Sequence, residues 1–526
     1  MALSPFALRE DYWTTFELSD EDIEFLYNHL LDKETPMTSS ELVSALVEER
    51  IQREKTSLEK QRSSQGQVYL PKERYAVDDQ VIFPALSWKM GKVTGVRPGR
   101  NPDLGEFDVI AVKLDNGEQH EFAAGLEDHK LNNPLEVSQE DESLDAGKVL
   151  ENYDDVLIDS LEEDLSTNPN FVRIAGKWFP RALLVDINAG HLNLAEAVLD
   201  MSGGGPLPTN ELLGQIELSD RGNQKLLEFS LDRALQEDPR FDEVGPAGEV
   251  LWFLNRLEPE EVIQPPVWLR YNEIEHDRSL LTPEMIALER DLDDELSPVA
   301  GRRGADEAEV RLIYPHWRSG TIPLSARIRH LFPTAYESPR IRFMLVDGDT
   351  GEKFPGWVVR HQKYVFGLQD WYTSKSLMPG SLVWVKRGKN PGEVIVRSEN
   401  RRPSREWIRT VLVGSDGGIV FAMLKQVVSA GYDERMTIAV PDVTTLDQAW
   451  TKAQKDRIPF ERIVVNTVRE LAKLNPQSHV HASELYAAIN LVRRCPPGPI
   501  LALLASRSWF VHVGDQHYRF DDSERG

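Results

Sequence analysis

Basic and aromatic side chains are interleaved in one stretch of this chain, and together they suit the chemistry of nucleic acids. Between Arg311 and Arg409 there are 18 Lys and Arg residues against 8 Asp and Glu residues, a local charge of +10. Cationic side chains bind phosphates, and indole rings stack on bases. We therefore predict a surface within residues 311–409 that binds nucleic acid, with double-stranded DNA as the expected ligand. Its candidate residues are Arg360, Lys363, Trp371, Lys386, Arg387, Lys389, Arg401, Arg402 and Arg405.

The same basic stretch also fits a different partner, an acidic protein surface. The whole chain carries 60 basic and 86 acidic residues, a net charge of −26, so the residues outside the stretch carry −36. The basic stretch could therefore dock on an acidic region of this chain or of another. Trp357 and Trp384 occupy alternating strand positions, and we expect them to fill a core.

Motifs for catalysis or for cofactor binding are missing from the sequence. It has no Gly-x-Gly-x-x-Gly, no phosphate loop ending in Gly-Lys-Ser/Thr, no His-Glu-x-x-His and no Gly-x-Ser-x-Gly. The spacing of His479 and His481 suits a strand or a helix cap better than a metal pair on a helix. Cys495, the single cysteine, is expected to be structural. We therefore expect no enzyme activity, no catalytic residue, no cofactor and no metal.

Composition sets the class and the compartment that we expect. With 526 residues, 40% hydrophobic and 28% charged, the chain is ordinary globular material of roughly three to five domains. One cysteine excludes a disulfide framework and fits a reducing compartment. The N-terminal residues lack a basic segment followed by an apolar run, and no window is apolar for long enough to span a bilayer. We expect a cytoplasmic protein without membrane contact.

Three stretches of the chain open a helix in the same way. They are PMTSSELVSAL from Pro36, PLPTNELLGQI from Pro206 and HVHASELYAAI from His479, each with a small polar residue before Glu-Leu. Small polar residues cap helix N-termini, and Glu is favoured in the first turn. A further helix, a turn and a strand with an aromatic residue follow each stretch. This is the element order of a winged helix.

An alignment of the three copies predicts which residues are equivalent. SLEEDLSTNPNFVRI from Ser160 matches SLDRALQEDPRFDEV from Ser230 at an offset of 70 residues. We expect one buried position on each third helix and one buried aromatic in the strand after it. These positions are Leu161, Leu231 and Ile500 on the helices, and Phe171, Phe241 and Phe510 in the strands.

The fold class predicted from these patterns is α+β, with several domains made of repeated winged helices and small antiparallel β-barrels. The first barrel is expected to be inserted in winged helix 1, although consecutive domains are an alternative. The charge-rich residues 52–67 and 140–145 are expected to be linkers. The domains are 19–67 (first part of winged helix 1), 68–135 (small β-barrel), 150–185 (third helix and wing of winged helix 1), 186–260 (winged helix 2), 308–410 (basic β-barrel), 411–455 (connecting α/β segment) and 456–522 (C-terminal winged helix).

Two families resemble parts of this chain. The Ser-Glu-Leu helix and the wing SWFVHVGDQHYRF are similar to the HARE-type helix-turn-helix, the winged-helix family that includes the delta subunit of bacterial RNA polymerase. That resemblance implies a transcription-linked or chromosome-linked role without catalysis. Residues 363–387 resemble the core of the plant-type DNA-binding pseudobarrel of auxin-response factors, in which a strand and a Trp precede a short helix and a Leu-x-x-Gly turn. The match departs at Ser381, where that family usually has an acidic residue.

The charge of the third helices decides which partner each repeat is expected to contact. A DNA-reading third helix needs a polar, basic face. DDVLIDSLEEDL from Asp154 and LLEFSLDRALQED from Leu226 are acidic, so we expect both to contact protein. The last copy is flanked by Arg493, Arg494 and Arg507, which makes it a candidate for DNA contact.

The predicted function is that of a non-enzymatic DNA- or transcription-associated protein. Its basic barrel would contact nucleic acid, and its acidic winged helices would contact a protein partner, for which the transcription machinery is a candidate. The alternative is a protein-interaction scaffold that binds no nucleic acid.

Overall fold

The computed structural model describes residues 12–64, 67–83, 86, 89–101, 106–115, 117–127, 129–132, 142–216, 223–298, 306–414, 417–521 and 523. The chain divides into two compact units. The first unit comprises residues 1–185 and 222–227, and the second comprises residues 186–221 and 228–526.

The first unit combines a helical repeat with a five-stranded sheet. The side chain of Ser19 caps the first helix, with Asp22 completing a capping box. The elements are α1 (Asp20–Lys33), β1 (Met37–Thr38), α2 (Ser39–Ser64), β2 (Gln67–Val68), β3 (Gln80–Phe83), β4 (Lys89–Pro98), β5 (Asp108–Leu114), β6 (Gln119–Ala124), α3 (Ala146–Thr167), β7 (Phe171–Ile174) and β8 (Lys177–Pro180).

The first repeat is assembled from two separate stretches of chain. β1 pairs with β8, which places Met37 opposite Trp178, and the sheet order is β1-β8-β7. The sheet β2-β3-β4-β5-β6 lies between these stretches in the sequence. Its core contains Val81, Val93 and Ile110, and the Tyr69 hydroxyl donates to the Ala123 carbonyl at 2.5 Å.

One predicted linker is largely helical. α2 continues to Ser64, so most of residues 52–67 extend the helix that Ser39 begins. The polar composition indicated a linker, but long charged side chains are also good helix formers, and no Gly or Pro interrupts residues 52–64. In the second predicted linker, residues 142–144 form a 3-10 turn, and residues 140 and 141 lie outside the described residues.

The second unit contains two further repeats and a large sheet. Its elements are α4 (Ala189–Met201), β9 (Leu207–Pro208), α5 (Thr209–Gln215), α6 (Gln224–Glu237, of which 228–237 belong to this unit), β10 (Phe241–Glu243), β11 (Leu251–Leu254), α7 (Glu260–Ile263), α8 (Pro283–Leu292), β12 (Glu307–Arg311), α9 (Tyr314–Ser319), β13 (Thr321–Pro323), β14 (Arg340–Asp347), β15 (Lys353–Val359), β16 (Tyr364–Phe366), α10 (Gln369–Ser374), β17 (Leu382–Arg387), β18 (Glu393–Ser398), β19 (Asn400–Val413), β20 (Ile419–Ala430), α11 (Val443–Lys455), α12 (Phe460–Ala472), β21 (Val480–His481), α13 (Ala482–Ile489), α14 (Pro497–Ser506), β22 (Phe510–Gly514) and β23 (His517–Phe520).

All three repeats have the same element order: helix, short strand, two helices and two strands. In each, the short strand pairs with the last strand, giving the sheets β1-β8-β7, β9-β11-β10 and β21-β23-β22. The predicted equivalent positions are buried in every copy, so that alignment is confirmed. The buried residues are Leu161, Leu231 and Ile500 on the third helices, and Phe171, Phe241 and Phe510 in the strands.

The large sheet is barrel-like and nearly closed. Its seven strands run in the order β12-β17-β18-β14-β15-β16-β13, with one parallel pair, β14 and β18. Alternating residues of β14 and β17, such as Ile341, Leu345, Val383 and Val385, fill its core. The last strand of the sheet ends at Ser398, and the chain then enters the β19–β20 hairpin.

The hairpin is held at several points of the second unit. Val411 and Phe421, near its turn, lie in one core with α12 residues such as Val464. Ala430, at its other end, lies in the core of the barrel-like sheet. The prediction of an α+β protein with several domains is confirmed. None of the helices in the described part of the chain combines the length and apolar composition needed to cross a bilayer.

Candidate nucleic-acid interface

Strands β17 and β18 place basic and aromatic side chains on the outside of the barrel-like sheet. Val383 and Val385 are buried in its core, so the alternating residues Trp384 and Lys386 face outward. Trp384 lies directly opposite Arg397 of β18, and its side chain is 37% exposed. We call Trp384, Lys386 and Arg397 the barrel patch.

Much of the positive charge of residues 311–409 is neutralised inside the protein. Arg311 contacts Asp291 at 2.7 Å, and Arg409 contacts Glu484 at 2.8 Å. Arg340 lies between two carboxylates, at 2.7 Å from Asp242 and 2.9 Å from Glu258. These acids lie outside residues 311–409, so the local charge of +10 is not a surface charge. The further pairs are Arg311 with Asp433, Arg318 with Asp447 and Arg327 with Asp293.

A smaller group of cations remains without an acidic partner. For Lys386, Lys389, Arg402 and Arg405, no side-chain ion pair within 4.0 Å is found among the described residues. All four residues are exposed. Arg387 donates to the carbonyl of His330, an interaction that leaves its charge uncompensated. These five residues were all predicted, and they lie on β17, in the β17–β18 turn and on β19.

The hairpin adds a second group of exposed side chains. Trp407 of β19 lies opposite Lys425 of β20, and Arg405 lies opposite Val427. Trp407 is 61% exposed, and the Lys425 ammonium lies 5.4 Å from its ring centroid. Arg409 lies opposite Met423 on the same face of the hairpin. We call Arg405, Trp407, Met423, Lys425 and Val427 the hairpin patch.

The sequence analysis missed Trp407, Lys425 and Arg397. Trp407 was detectable, because it alternates with Arg405 and Arg409 and therefore shares a strand face with two cations. Lys425 had no such signal, since the strand register alone brings it opposite Trp407.

The prediction that Trp371 binds nucleic acid is wrong. Its side chain is 5% exposed and packs in the core of the barrel-like sheet. Its interleaving with basic residues suggested a surface position, but α10 turns this side chain inward. Trp357 is buried as expected, whereas Trp384 is exposed and does not fill a core.

Three other predicted residues have partners in the second unit. Arg360 donates to the Ser338 carbonyl at 2.7 Å, and Lys363 donates to the Glu295 carbonyl at 3.3 Å. Arg401 forms an ion pair with Glu399 at 3.0 Å. Arg360 and Lys363 keep an uncompensated charge, because a carbonyl is neutral.

The prediction for Arg494 is also wrong, because its side chain is fully buried. Its guanidinium contacts Asp294 at 2.7 and 2.8 Å and Glu295 at 2.7 Å. Burial opposes ionisation of Glu295, but the charge of Arg494 outweighs it and lowers the pKa of Glu295. A cavity of about 20 Å³ beside this cluster has room for about one water and for no organic ligand.

The third helix of the last repeat is not available to enter a groove. Seven residues of α14 are buried, and a side chain at Gly498 would meet His276, Arg278 and Glu289. Of the two other predicted cations, Arg507 contacts Glu461 at 3.2 Å. Arg493 lies 5.9 Å from the Phe460 ring centroid. Groove reading by α14 is therefore excluded in this structure.

The third helix of the first repeat presents acidic residues to solvent. Glu151, Asp155, Asp159 and Glu163 are exposed and spaced four residues apart along α3. Residues at this spacing share a helix face. This acidic row would repel phosphates, so the face is suited to a protein partner.

No group of three or more His, Cys, Asp or Glu side chains is arranged to hold a metal ion in the described part of the chain. His479 and His481 lie in a ring cluster with His517, with centroids 4.8 and 4.9 Å from it. Cys495 is buried, and burial raises the pKa of its thiol above the usual range.

The architecture is that of a multi-domain α+β protein with three similar repeats and a barrel-like sheet. Comparison with protein-family models, with curated proteins and with solved structures found no match.

Proposed function

We propose that this protein is a non-enzymatic, nucleic-acid-associated protein that contacts double-stranded DNA through its basic strands and protein through its acidic repeats. The observation that carries the proposal is the group of exposed cations without a carboxylate partner, Lys386, Arg387, Lys389, Arg402 and Arg405. An exposed cation that its own fold leaves uncompensated is available to an external anion. Phosphates on a duplex are such anions, and their neutralisation releases counterions.

The acidic row on α3 supports the second half of the proposal. A repeat of this element order that carries Glu151, Asp155, Asp159 and Glu163 on its third helix fits a basic protein surface better than DNA. A partner within the transcription machinery is the one that the resemblance to HARE-type repeats implies.

The test measures binding of the full chain to a labelled duplex of about 20 base pairs across salt concentrations. The variant replaces Lys386, Arg387 and Lys389 with Ala. We expect weaker binding and a log–log salt slope that is flatter by about 0.9 for each phosphate that the variant no longer neutralises. A control variant removes the same number of charges at Arg233 and Arg256 in the 186–260 segment and at Arg270 just after it, and should bind as the wild type does.

The rival function is a protein-interaction scaffold, which the extensive internal neutralisation of residues 311–409 favours. It predicts no salt-dependent binding of duplex or single-stranded nucleic acid by the full chain. If the Lys386/Arg387/Lys389 variant binds the duplex as well as the control variant does, these three residues have no role in duplex binding.

A further inference from the structure

We infer that the hairpin patch binds single-stranded nucleic acid, with the indole of Trp407 stacking on an unpaired base and with Arg405 and Lys425 holding phosphates. The inference rests on the proposed function, because it assigns a class of nucleic acid to the same basic surface. It adds Trp407 and Lys425, which are not among the five cations on which the proposed duplex contact rests.

The strand register places these groups on one face. Residues directly opposite each other in an antiparallel pair lie on the same side of the sheet, and so do residues two positions apart. Arg405 and Trp407 are two positions apart, and Lys425 and Val427 lie opposite them. Glu406 is on the other face, opposite Gln426.

The exposure of Trp407 is unusual within this protein. Trp178, Trp252 and Trp357 are each at most 3% exposed and Trp384 is 37% exposed, whereas Trp407 is 61% exposed. A large apolar ring on the surface is explained when a ligand covers it. Met423 and Val427 flank the ring and are 41% and 62% exposed, so the ring sits in an apolar area bordered by cations.

The charges around the ring select an anionic ligand. Arg405 and Lys425 have no side-chain ion pair with an acidic residue in the described part of the chain, and Lys425 instead lies over the ring. At an exposed site, the ammonium of Lys425 interacts more strongly with the full negative charge of a phosphate than with the quadrupole of an aromatic ring. Binding therefore moves Lys425 to a phosphate and uncovers the ring face that it occupies.

The combination of an exposed ring and flanking cations favours a single strand over a duplex. In a duplex the base faces are stacked on each other, so an indole has nothing to stack on without unpairing. In a single strand every base presents a face, and a positively charged surface with stacking aromatics is the usual way in which proteins bind it. An acidic protein segment would satisfy the cations but would not need the ring, so it is the less complete fit.

The hairpin is rigid enough to serve as a platform. On the turn side of the patch, Val411 and Phe421 lie in the core shared with α12. On the other side, Val428 packs with Ala439, and Ala430 lies in the core of the barrel-like sheet. The patch lies between these anchors, so the backbone positions of Arg405, Trp407 and Lys425 are fixed without a ligand, and binding has only to move the Lys425 side chain.

The experiment compares a labelled single strand of about 12 nucleotides with a duplex, using the full chain. In Trp407→Ala we expect single-strand affinity to fall about ten- to a hundredfold, because the variant cannot stack on a base. Duplex affinity should stay within about twofold, since duplex contacts are made by phosphates alone. Arg405→Ala with Lys425→Ala should flatten the single-strand salt slope by about 0.7 for each phosphate that is no longer neutralised.

Two further variants keep the test decisive. Leu424→Ala changes an exposed residue on the other face of the same hairpin, and should bind as the wild type does. Trp407→Phe keeps an aromatic ring, so it should retain most of the single-strand affinity. It lacks the Trp407 indole, so the fluorescence quenching that a bound single strand causes in the wild type should be lost. If Trp407→Ala does not fold, this quenching and the Arg405/Lys425 variant still decide the matter.

The outcomes separate this inference from the proposed function. Salt-dependent duplex binding together with single-strand affinity that Trp407→Ala leaves unchanged would overturn the inference and leave the proposed function standing. Binding of neither nucleic acid would overturn both. Binding of poly-glutamate that depends on Trp407, without binding of nucleic acid, would assign the patch to an acidic protein segment and would also overturn both.

Discussion

The second and third repeats share one element order, but their interiors are held together differently. In the second repeat, Trp252 Nε1 donates to Asp232 at 2.9 Å and to the Thr209 hydroxyl at 3.2 Å, and Thr209 donates to Asp232. All three side chains are buried. At the equivalent positions the third repeat has Ala482, Leu501 and Tyr518, which pack as apolar groups.

The first repeat resembles the second in having a hydrogen-bonded polar centre. Ser39 donates to Glu162 at 2.6 Å, and Trp178 Nε1 donates to Ser39 at 3.1 Å. Arg173 completes this network with contacts to Glu162 at 2.7 and 2.8 Å. One topology therefore tolerates either a polar or an apolar centre, as long as every buried polar group finds a partner.

The third repeat has its buried charges elsewhere, in the cluster of Arg494, Asp294 and Glu295. This difference also explains why the third helix of that repeat is hidden. The segment that supplies Asp294 and Glu295 also supplies α8, which contributes Glu289 to the surroundings of Gly498 in α14. A repeat that is tied to its neighbours in this way is an internal structural element more than a free binding module.

The largest expected effect comes from breaking that cluster. Arg494→Met leaves two buried carboxylates without a cation, and removal of one partner from a buried ion pair costs about 3–5 kcal/mol. Urea unfolding followed by circular dichroism should show this loss in the transition of the second unit. Arg493→Met, one residue away and partly exposed, is the control and should cost less than about 1 kcal/mol. Equal losses in the two variants would remove the distinction between the repeats.

Acid should weaken the third repeat through His481. Burial, together with the nearby charge of Arg435, lowers the pKa of His481 to about 4. Between pH 6.5 and about pH 4, His481 is protonated in the unfolded chain but stays neutral in the folded chain. The free energy of unfolding therefore keeps its full value above about pH 6.5 and falls as the pH drops towards 4. The shift sets an upper bound of about 3 kcal/mol on the loss across that window, because solvent screens part of the charge.

Thermal melts at pH 7 and pH 4.5 check this effect. His481→Gln should lose less stability on acidification than the wild type does. His512→Gln, which changes an exposed histidine of the same repeat, should not. The first and second repeats have Thr38 and Pro208 at the equivalent position, so they lack this titration. The same acid dependence in His481→Gln and wild type would contradict the assignment.

The smallest of these effects is expected in the polar centre of the second repeat. Asp232→Ala leaves Trp252 Nε1 buried with a weaker partner, and an unsatisfied buried group costs about 1–3 kcal/mol. Glu237→Ala removes an exposed carboxylate from the same helix and should cost less than about 1 kcal/mol. Denaturant unfolding of both variants tests the difference. If Asp232→Ala leaves the free energy of unfolding unchanged, the hydrogen bonds of this polar centre do not stabilise the second repeat.

Sequence reasoning was accurate for properties that a short stretch determines by itself. Helix starts depend on one cap and one turn, and the buried leucines and phenylalanines follow the 3.6-residue and two-residue periods of their own elements. For that reason Leu231 and Phe241 were predicted with their counterparts, and so was the common element order. Lys386, Lys389, Arg402 and Arg405 were also expected at a surface, because they are dense in a strand-rich stretch, and the structure exposes them.

Only the tertiary structure decided which of the predicted side chains reach solvent. In sequence, Arg494 and Arg402 look alike, but the carboxylate that pairs with the buried Arg494 comes from Asp294, 200 residues away. Trp371 and Trp407 likewise both have polar neighbours in the sequence. Trp371 packs in the core of the barrel-like sheet, whereas Trp407 is exposed on the hairpin. Exposure depends on which distant elements cover a residue, and pairing of charges depends on strand register and on packing between elements. Neither property is determined by the short sequence segment that sets the helical or strand periodicity of an element.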